Sequence, residues 1–255
     1  MNNILEARKL NKTYDIGKNN SQQVLRDVDL DISQGEFVLV MGPSGSGKST
    51  LLYNISGMDR MTSGNVKFCG KEIAKMNEDE LSKLRLTMMG FIFQQSSLLK
   101  NLSIFDNIIL SAFRAKEESR QAINERATQL MEQTGILELR DNTITQASGG
   151  QLQRAAICRA LINKPQIVFG DEPTGALNSK SAGEVMDILL EINQSGTTIL
   201  LVTHDAKVAA KTERVLFMSD GVIAGEKQLG KCSKDKSDAK DRENELTSWL
   251  AQMGF

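Results

Sequence analysis

Hydrophobic and polar residues alternate early in the chain. Val24, Val28, Leu30 and Ile32 share one parity, and Asp27, Asp29 and Asp31 take the other. A period of two puts one face of a strand on a core and the other in water. Val66 and Phe68, alternating with Lys67 and Cys69, repeat the pattern, so these segments predict an antiparallel edge sheet. A second kind of run is continuously apolar: Phe37-Val38-Leu39-Val40-Met41, Ile167-Val168-Phe169 and Ile199-Leu200-Leu201-Val202. Runs of this kind suit parallel strands buried on both faces.

Helical spacing separates these runs. Asn77 with Glu80 three residues on forms a capping-box signature. Ile123, Ala127, Leu130, Met131 and Thr134 line one helical face, which Gly135 is placed to end. Leu152, Ala156, Ile157, Ala160 and Leu161 form another stripe, closed by Pro165, and Val185, Ile188, Leu189 and Ile192 a third. Ser219-Asp220-Gly221 between two apolar runs is a hairpin signal. The expectation is an α/β core with a parallel sheet, an antiparallel edge sheet and a helical subdomain over about residues 75–165, the whole domain covering 1–230.

Residues 231–255 change character. Lys231, Lys234, Lys236, Lys240 and Arg242 mingle with Asp235, Asp238, Asp241, Glu243 and Glu245, which reads as a solvated linker or helix face. Leu246, Trp249, Leu250 and Met253 then fall on one face of an amphipathic helix. Docking on its own domain is favoured for that helix over binding a partner.

Composition narrows the function. Among 255 residues the formal net charge is −1 and the pI about 6.0, against a chain built to grip nucleic acid. Three cysteines, an odd count without metal-ligand spacing, suit a reducing cytosolic setting. One histidine, His204, excludes a His-rich metal site and a His relay. No apolar run approaches the roughly 20 residues of a membrane span, and Met1-Asn2-Asn3-Ile4-Leu5-Glu6 lacks a signal-peptide layout.

Candidate chemistry gathers after the apolar runs. Gly42-Pro43-Ser44-Gly45-Ser46-Gly47-Lys48-Ser49-Thr50 fits G-x-x-x-x-G-K-[ST] between a buried strand and a helix. Glycines at 42, 45 and 47 let backbone N–H groups turn inward as an anion nest. Lys48 adds a positive charge for β/γ-phosphates, and Ser49 a hydroxyl for Mg²⁺. A chance Gly/Ser-rich turn is the alternative. Asp171 and Glu172 follow the run 167–169, placed to hold Mg²⁺ through water and to polarise an attacking water. They would otherwise be an ordinary strand end. His204 follows the run 199–202, at the strand edge where α/β sheets bind ligands, although a lone histidine also serves structure.

Ser148-Gly149-Gly150-Gln151, opening a helix, narrows this further. Over about residues 4–225 the chain resembles the ATP-binding cassette family, the nucleotide-binding subunits of ABC transporters. The motifs come in the family's order: the phosphate loop 42–50, Gln94 in Phe91-Ile92-Phe93-Gln94, the signature 147–151, the strand 167–172, Asp171-Glu172-Pro173-Thr174 and His204. The resemblance implies a P-loop NTPase cassette fold with ATP and Mg²⁺ as cofactors. Two copies would pair head to tail, each ATP lying between the loop of one copy (Gly42, Ser44, Gly45, Ser46, Gly47, Lys48, Ser49, Thr50) and Ser148, Gly149, Gly150 and Gln151 of the other. It implies Ser49, Gln94 and Asp171 at the metal, Gln94 also sensing the attacking water and linking the site to the membrane partner (a polar strand-end residue being its alternative), Glu172 as general base, His204 as γ-phosphate switch, and Tyr14 stacking on adenine, with packing in the edge sheet as the competing role for Tyr14. Ala147 replaces the family's usual Leu, and Asn178 its usual Asp at the dimer interface.

Asp171 to Ser181 looks most like cassettes of the macrolide-export and lipoprotein-release superfamily, and within it the bacitracin- and lantibiotic-type resistance cassettes. That implies a subunit on the cytoplasmic face of the membrane, paired with a second cassette and driving a permease without binding nucleic acid. Segment 94–105 would receive the permease's coupling helix. Lipoprotein release, small-molecule efflux and a cell-division-type ATPase are the alternatives. Only 100 residues separate Lys48 from Ser148, too few for the coiled coil of a DNA-repair ATPase.

Overall fold

The computed structural model describes residues 3–17, 20–233 and 238–255. In chain order the elements are β1 (Asn3–Asp15), β2 (Ser21–Ser33), β3 (Phe37–Met41), α1 (Lys48–Ile55), β4 (Ser63–Phe68), β5 (Lys71–Glu72), α2 (Glu78–Met88), β6 (Met89–Phe93), α3 (Ile104–Ala115), α4 (Arg120–Gln133), α5 (Gly149–Leu161), β7 (Ile167–Asp171), α6 (Ser179–Gln194), β8 (Thr198–Val202), α7 (Ala206–Ala209), β9 (Arg214–Ser219), β10 (Val222–Gln228) and α8 (Ala239–Gln252). They divide into two compact units, Met1–Leu81 with Thr198–Phe255, and Ser82–Thr197.

The first unit carries two kinds of sheet. β1 pairs antiparallel with β2 and β4, and β4 with β5. β3 lies between β8 and β9 and is parallel to both, and every residue of β3 and β8 is buried, as their continuous apolar runs require. β9 returns through Asp220 and Gly221, at φ 48° and 81°, into antiparallel β10. Two left-handed residues in a two-residue loop make the hairpin turn whose twist matches its strands.

The parity read for residues 24–32 breaks part-way. Leu10 pairs with Val28, but Lys12 pairs with Leu25, so the register slips. Lys9 and Asp27, both at φ 45°, mark the irregularity. A slip of one residue exchanges faces: Leu25 is fully buried and Val24 only half-buried.

In the second unit β6 and β7 are parallel, and α3, α4 and α5 enclose a core that includes Ile104, Ile108, Ile123, Ala127, Ala155 and Cys158. Gly135 at φ 64° ends α4: its N–H donates to Glu132 O and that of Ile136 to Met131 O, a complete Schellman motif. At the end of the first unit's N-terminal segment, the capping box of α2 forms in both directions between Asn77 and Glu80. Two stripes differ from expectation. α5 also buries Gln153, Ala155 and Cys158, while Leu152 and Leu161 are half-buried, because neighbours cover it on several sides. α6 buries Met186 and Leu190 with Val185 and Leu189, leaving Ile188 and Ile192 half-buried.

α8 packs on the first unit. Leu246 and Leu250 are buried, and Trp249 meets Phe217 edge-on at 6.3 Å between centroids. Gly225 makes room for it, since a Cβ there would lie 2.8 Å from Met253 Cε. Arg242 departs from the solvated reading: it is buried on the same face as Leu246. Lys234, Asp235 and Lys236 lie outside the described residues. No described helix is long and apolar enough to cross a membrane.

All three cysteines are free thiols. Burial pushes the Cys158 thiol up to about 12, against a weaker hydrogen bond with Thr134, so its reactive thiolate is scarce at neutral pH. With a thiol reagent at pH 8, exposed Cys69 is expected to label in the native protein and Cys158 only after denaturation. Peptide mass mapping checks this; fast native labelling of Cys158 would contradict the packing of α5.

Candidate functional site

In the first unit, strand register brings two of the sequence candidates to one edge. Val40 pairs with Val202 in parallel, and two residues further each chain reaches Gly42 and His204. On the other side Met41 pairs with Phe217, which sets the Met218 carbonyl against Gly42: a Cβ on Gly42, at φ 151°, would lie 2.0 Å from it. No side chain fits there, and the loop turns inward over the N-terminus of α1. The N-cap of α1 is Gly47, which contributes no side-chain cap, so first-turn N–H groups can serve an anion. Lys48, nearly buried, donates to Gly42 O at 2.9 Å and Pro43 O at 2.8 Å. The Ser46 hydroxyl is buried without a hydrogen-bond partner among the described residues. Such an orphan costs about 1–3 kcal/mol, and a bound phosphate oxygen would satisfy it. The cradle therefore fits a nucleotide phosphate.

Tyr14 belongs to this unit and is partly exposed. Its hydroxyl donates to Asp59 Oδ2 at 2.6 Å, and Thr50 at the end of the loop also hydrogen-bonds it. Lys12 Nζ sits 4.5 Å from the ring centroid and bonds Asp59 Oδ1 at 2.7 Å. Burial, then Asp59, raises the Tyr14 hydroxyl above its ordinary range. Burial also pushes Asp59 up, but hydrogen bonds from Lys12 and Tyr14 outweigh it and hold the carboxyl below its usual value.

In the second unit Phe93 pairs with Asp171, so Gln94 and Glu172 each stand one residue beyond a paired strand position. Both reach Gly175: a Cβ there would lie 3.0 Å from Gln94 Nε2 and 3.1 Å from Glu172 Oε2. Glu172 has φ 47°, and its carbonyl accepts from Gly175 N–H at 3.0 Å. A left-handed glutamate costs of order 1–3 kcal/mol and persists where surroundings enforce it.

Ser148 caps α5 in a capping box with Gln151, whose Oε1 accepts from Ser148 N–H at 2.8 Å. Gly150 lets α5 approach α6, since its Cβ would come 2.9 Å from Ser181 Oγ. Asn178 caps α6 by accepting from Ser181 N–H at 2.9 Å, a task Asn and Asp perform about equally. Ala147 packs against the helical core.

Sequence reading missed the ties between α5 and the Gln94 loop. Gln153 Nε2 donates to Phe93 O at 3.0 Å, and Arg159 donates to Ser96 O and Ser97 O at 2.8 and 2.7 Å. A glutamine beside the apolar stripe of α5 was the available signal. No group of three or more His, Cys, Asp or Glu among the described residues could hold a metal. Ser49, Gln94 and Asp171 offer hard oxygens, the donors that Mg²⁺ takes alongside phosphate oxygens and water.

The model of the ABC transporter family matches residues 25–175. The chain belongs to this family. It is an ABC ATPase cassette, 44% identical over 226 residues to the macrolide export ATP-binding/permease protein MacB of Aggregatibacter actinomycetemcomitans, covering 89% of this chain and 35% of that protein. It is 43% identical over 221 residues to the bacitracin export ATP-binding protein BceA of Halalkalibacterium halodurans, covering 86% and 87%. The cassette spans about a third of the MacB relative and most of BceA. Among solved structures it is similar to the dimeric ATP-binding cassette MJ0796 in a post-hydrolysis state bound to ADP and Pi, at 37% identity and TM-score 0.82 over 88% of this chain and 98% of that one. It is also similar to cbiO1 of Clostridium perfringens, part of the ABC transporter complex cbiONQ, at 26% identity and TM-score 0.81 over 100% and 98%.

The Lys12–Asp59–Tyr14 link gives a pH test. Because the folded carboxyl is lowered, its contribution to stability is present above the unfolded value of about 3.9 and lost as pH falls through the folded one. Asp59→Asn is expected to be less stable than wild type at pH 7, with the gap closing below about pH 4. Melting temperatures from pH 7 to 3 check this; a constant gap would refute the charged link.

Proposed function

We propose that this cassette binds ATP with Mg²⁺, hydrolyses it with Glu172 as general base, and drives a membrane permease in export of, or resistance to, antimicrobial peptides. The meeting of Gln94 and Glu172 around Gly175 supports the chemistry most directly. One oxygen acceptor and one amide donor share a small space, which is the equipment for orienting a water and taking its proton.

The residue roles follow. Backbone N–H groups of Ser44 to Thr50, with Lys48 and the Ser46 hydroxyl, hold the phosphates. Mg²⁺, when bound, neutralises charge on them, with Ser49, Asp171 and Gln94 as its protein partners. Glu172 accepts the proton of the attacking water that Gln94 orients, and His204 bonds the γ-phosphate. Tyr14 stacks on the adenine ring with the face that Lys12 leaves open. Ser148, Gly149, Gly150 and Gln151 of a second copy close over the same ATP, so ATP favours a dimer and hydrolysis releases it. The subunit works at the cytoplasmic face of the membrane, held there by its permease.

The match to BceA runs over most of that protein, which supports the peptide role. The match to MacB is slightly higher in identity and favours small-molecule efflux as the second reading.

Glu172→Gln is expected to keep ATP binding, lose about 10²–10⁴-fold in turnover, and elute as a dimer with Mg-ATP in sizing chromatography. Full ATPase activity in this variant would remove Glu172 as the base. For the substrate, the cassette purified with its permease is expected to gain ATPase activity with bacitracin. Stimulation by macrolides alone would favour the second reading.

A further inference from the structure

The C-terminal helix grips the segment that carries His204 with the side chain of Arg242. Arg242 of α8 is 6% exposed, and its guanidinium donates to four main-chain carbonyls. Nε bonds Ala210 O at 2.8 Å, Nη2 bonds Thr212 O at 2.7 Å and Gly230 O at 3.0 Å, and Nη1 bonds Leu229 O at 2.8 Å. Asp238, one turn earlier, adds a carboxylate at 3.6 Å. A guanidinium is a rigid planar fork. Bonded to carbonyls from two chain segments, it fixes each against the other.

One of those segments leads back to His204. Ala210 is the C-cap of α7, and Asp205, the next residue after His204, is its N-cap, accepting from Lys207 N–H at 2.8 Å. Asp205 N–H donates to Thr203 Oγ1 at 3.2 Å, and the buried Thr212 hydroxyl to Ala209 O at 2.8 Å. The stretch 204–212 thus runs from β8 to the start of β9, where Glu213 N–H donates to Phe37 O at 2.8 Å, and Arg242 grips it just before that end. A four-residue helix has almost no stability of its own. Val208, Ala209 and Ala210 are buried, and α7 packs against α8.

We propose that Arg242 is a positioning residue for His204: by gripping the end of α7 it keeps the imidazole where it meets ATP. The proposal rests on the role given to His204 above. It makes α8 part of the turnover machinery, and displacing α8 slows hydrolysis while nucleotide still binds.

With one histidine in the chain, histidine-selective NMR of this chain reads His204 alone. Arg242→Lys keeps the charge and cannot span four carbonyls. It is expected to move the imidazole signal and lower kcat about tenfold, with KM within about twofold. In a His204→Ala background the same change should lower the residual kcat less than about twofold, because the residue it acts through is gone. Lys227→Met, which breaks the Lys227–Glu245 pair at 2.6 Å between β10 and α8, is the control and should leave signal and kcat in place. An unmoved signal, or an equal loss of kcat in both backgrounds, would overturn the proposal. A moved signal with kcat unchanged in both would leave the grip standing and remove His204 from turnover. Should Arg242→Lys fail to fold, Asp238→Asn removes the carboxylate 3.6 Å from the guanidinium and loosens the grip more gently, with the same outcomes expected.

Discussion

β3 is closed in by β8 on one side and β9 on the other, and all five of its side chains are buried. A parallel strand so enclosed has one direction of exit, and whatever follows must clear its neighbours. The Met218 carbonyl stands where a side chain at position 42 would go, and the Val24 carbonyl would lie 3.0 Å from a Cβ on Gly47. Glycine at both ends of the loop is therefore a steric demand of the sheet before it is a property of the ligand. The inward turn leaves Lys48 folded back onto the carbonyls of Gly42 and Pro43 and strands the Ser46 hydroxyl. Two costs, a confined ammonium and an unsatisfied hydroxyl, are kept for an anion to relieve.

The second unit is organised around α5. Its first turn is the capping box of Ser148 and Gln151, and its body is hydrogen-bonded to the loop after β6 through Gln153 and Arg159. Burial lowers the Arg159 guanidinium from its usual value, yet it remains charged at any physiological pH. A charged donor on carbonyls and a buried amide make that connection stiff. Gln153 and Arg159 thereby tie the loop after β6 to the body of α5.

The sequence was legible where the determinants are local. The Asn77–Glu80 box, the Gly135 stop and the Asp220–Gly221 turn are each set by a few adjacent residues, and each forms as read. The phosphate loop, Asp171 and His204 were legible because buried strands announce their own ends. Features made by distant residues were not. Val24 and Leu25 exchanged places because a bulge, absent from the alternation, shifts the register of β1 on β2. Arg242 read as solvent-facing because its charged neighbours are, and only its four carbonyl partners, all ten or more residues away, account for its burial. Gly175 gave no signal either, since its meaning is the nearness of Gln94 and Glu172.

Glu172 holds a backbone conformation that a glycine would adopt without penalty. The residue proposed as the base is thus also a local weak point of the fold. Selection for thermal stability alone would drive position 172 toward Gly or Asn, and the gain would arrive together with a silent motor. A stability screen of this cassette that ignores ATP turnover would score such a variant as an improvement.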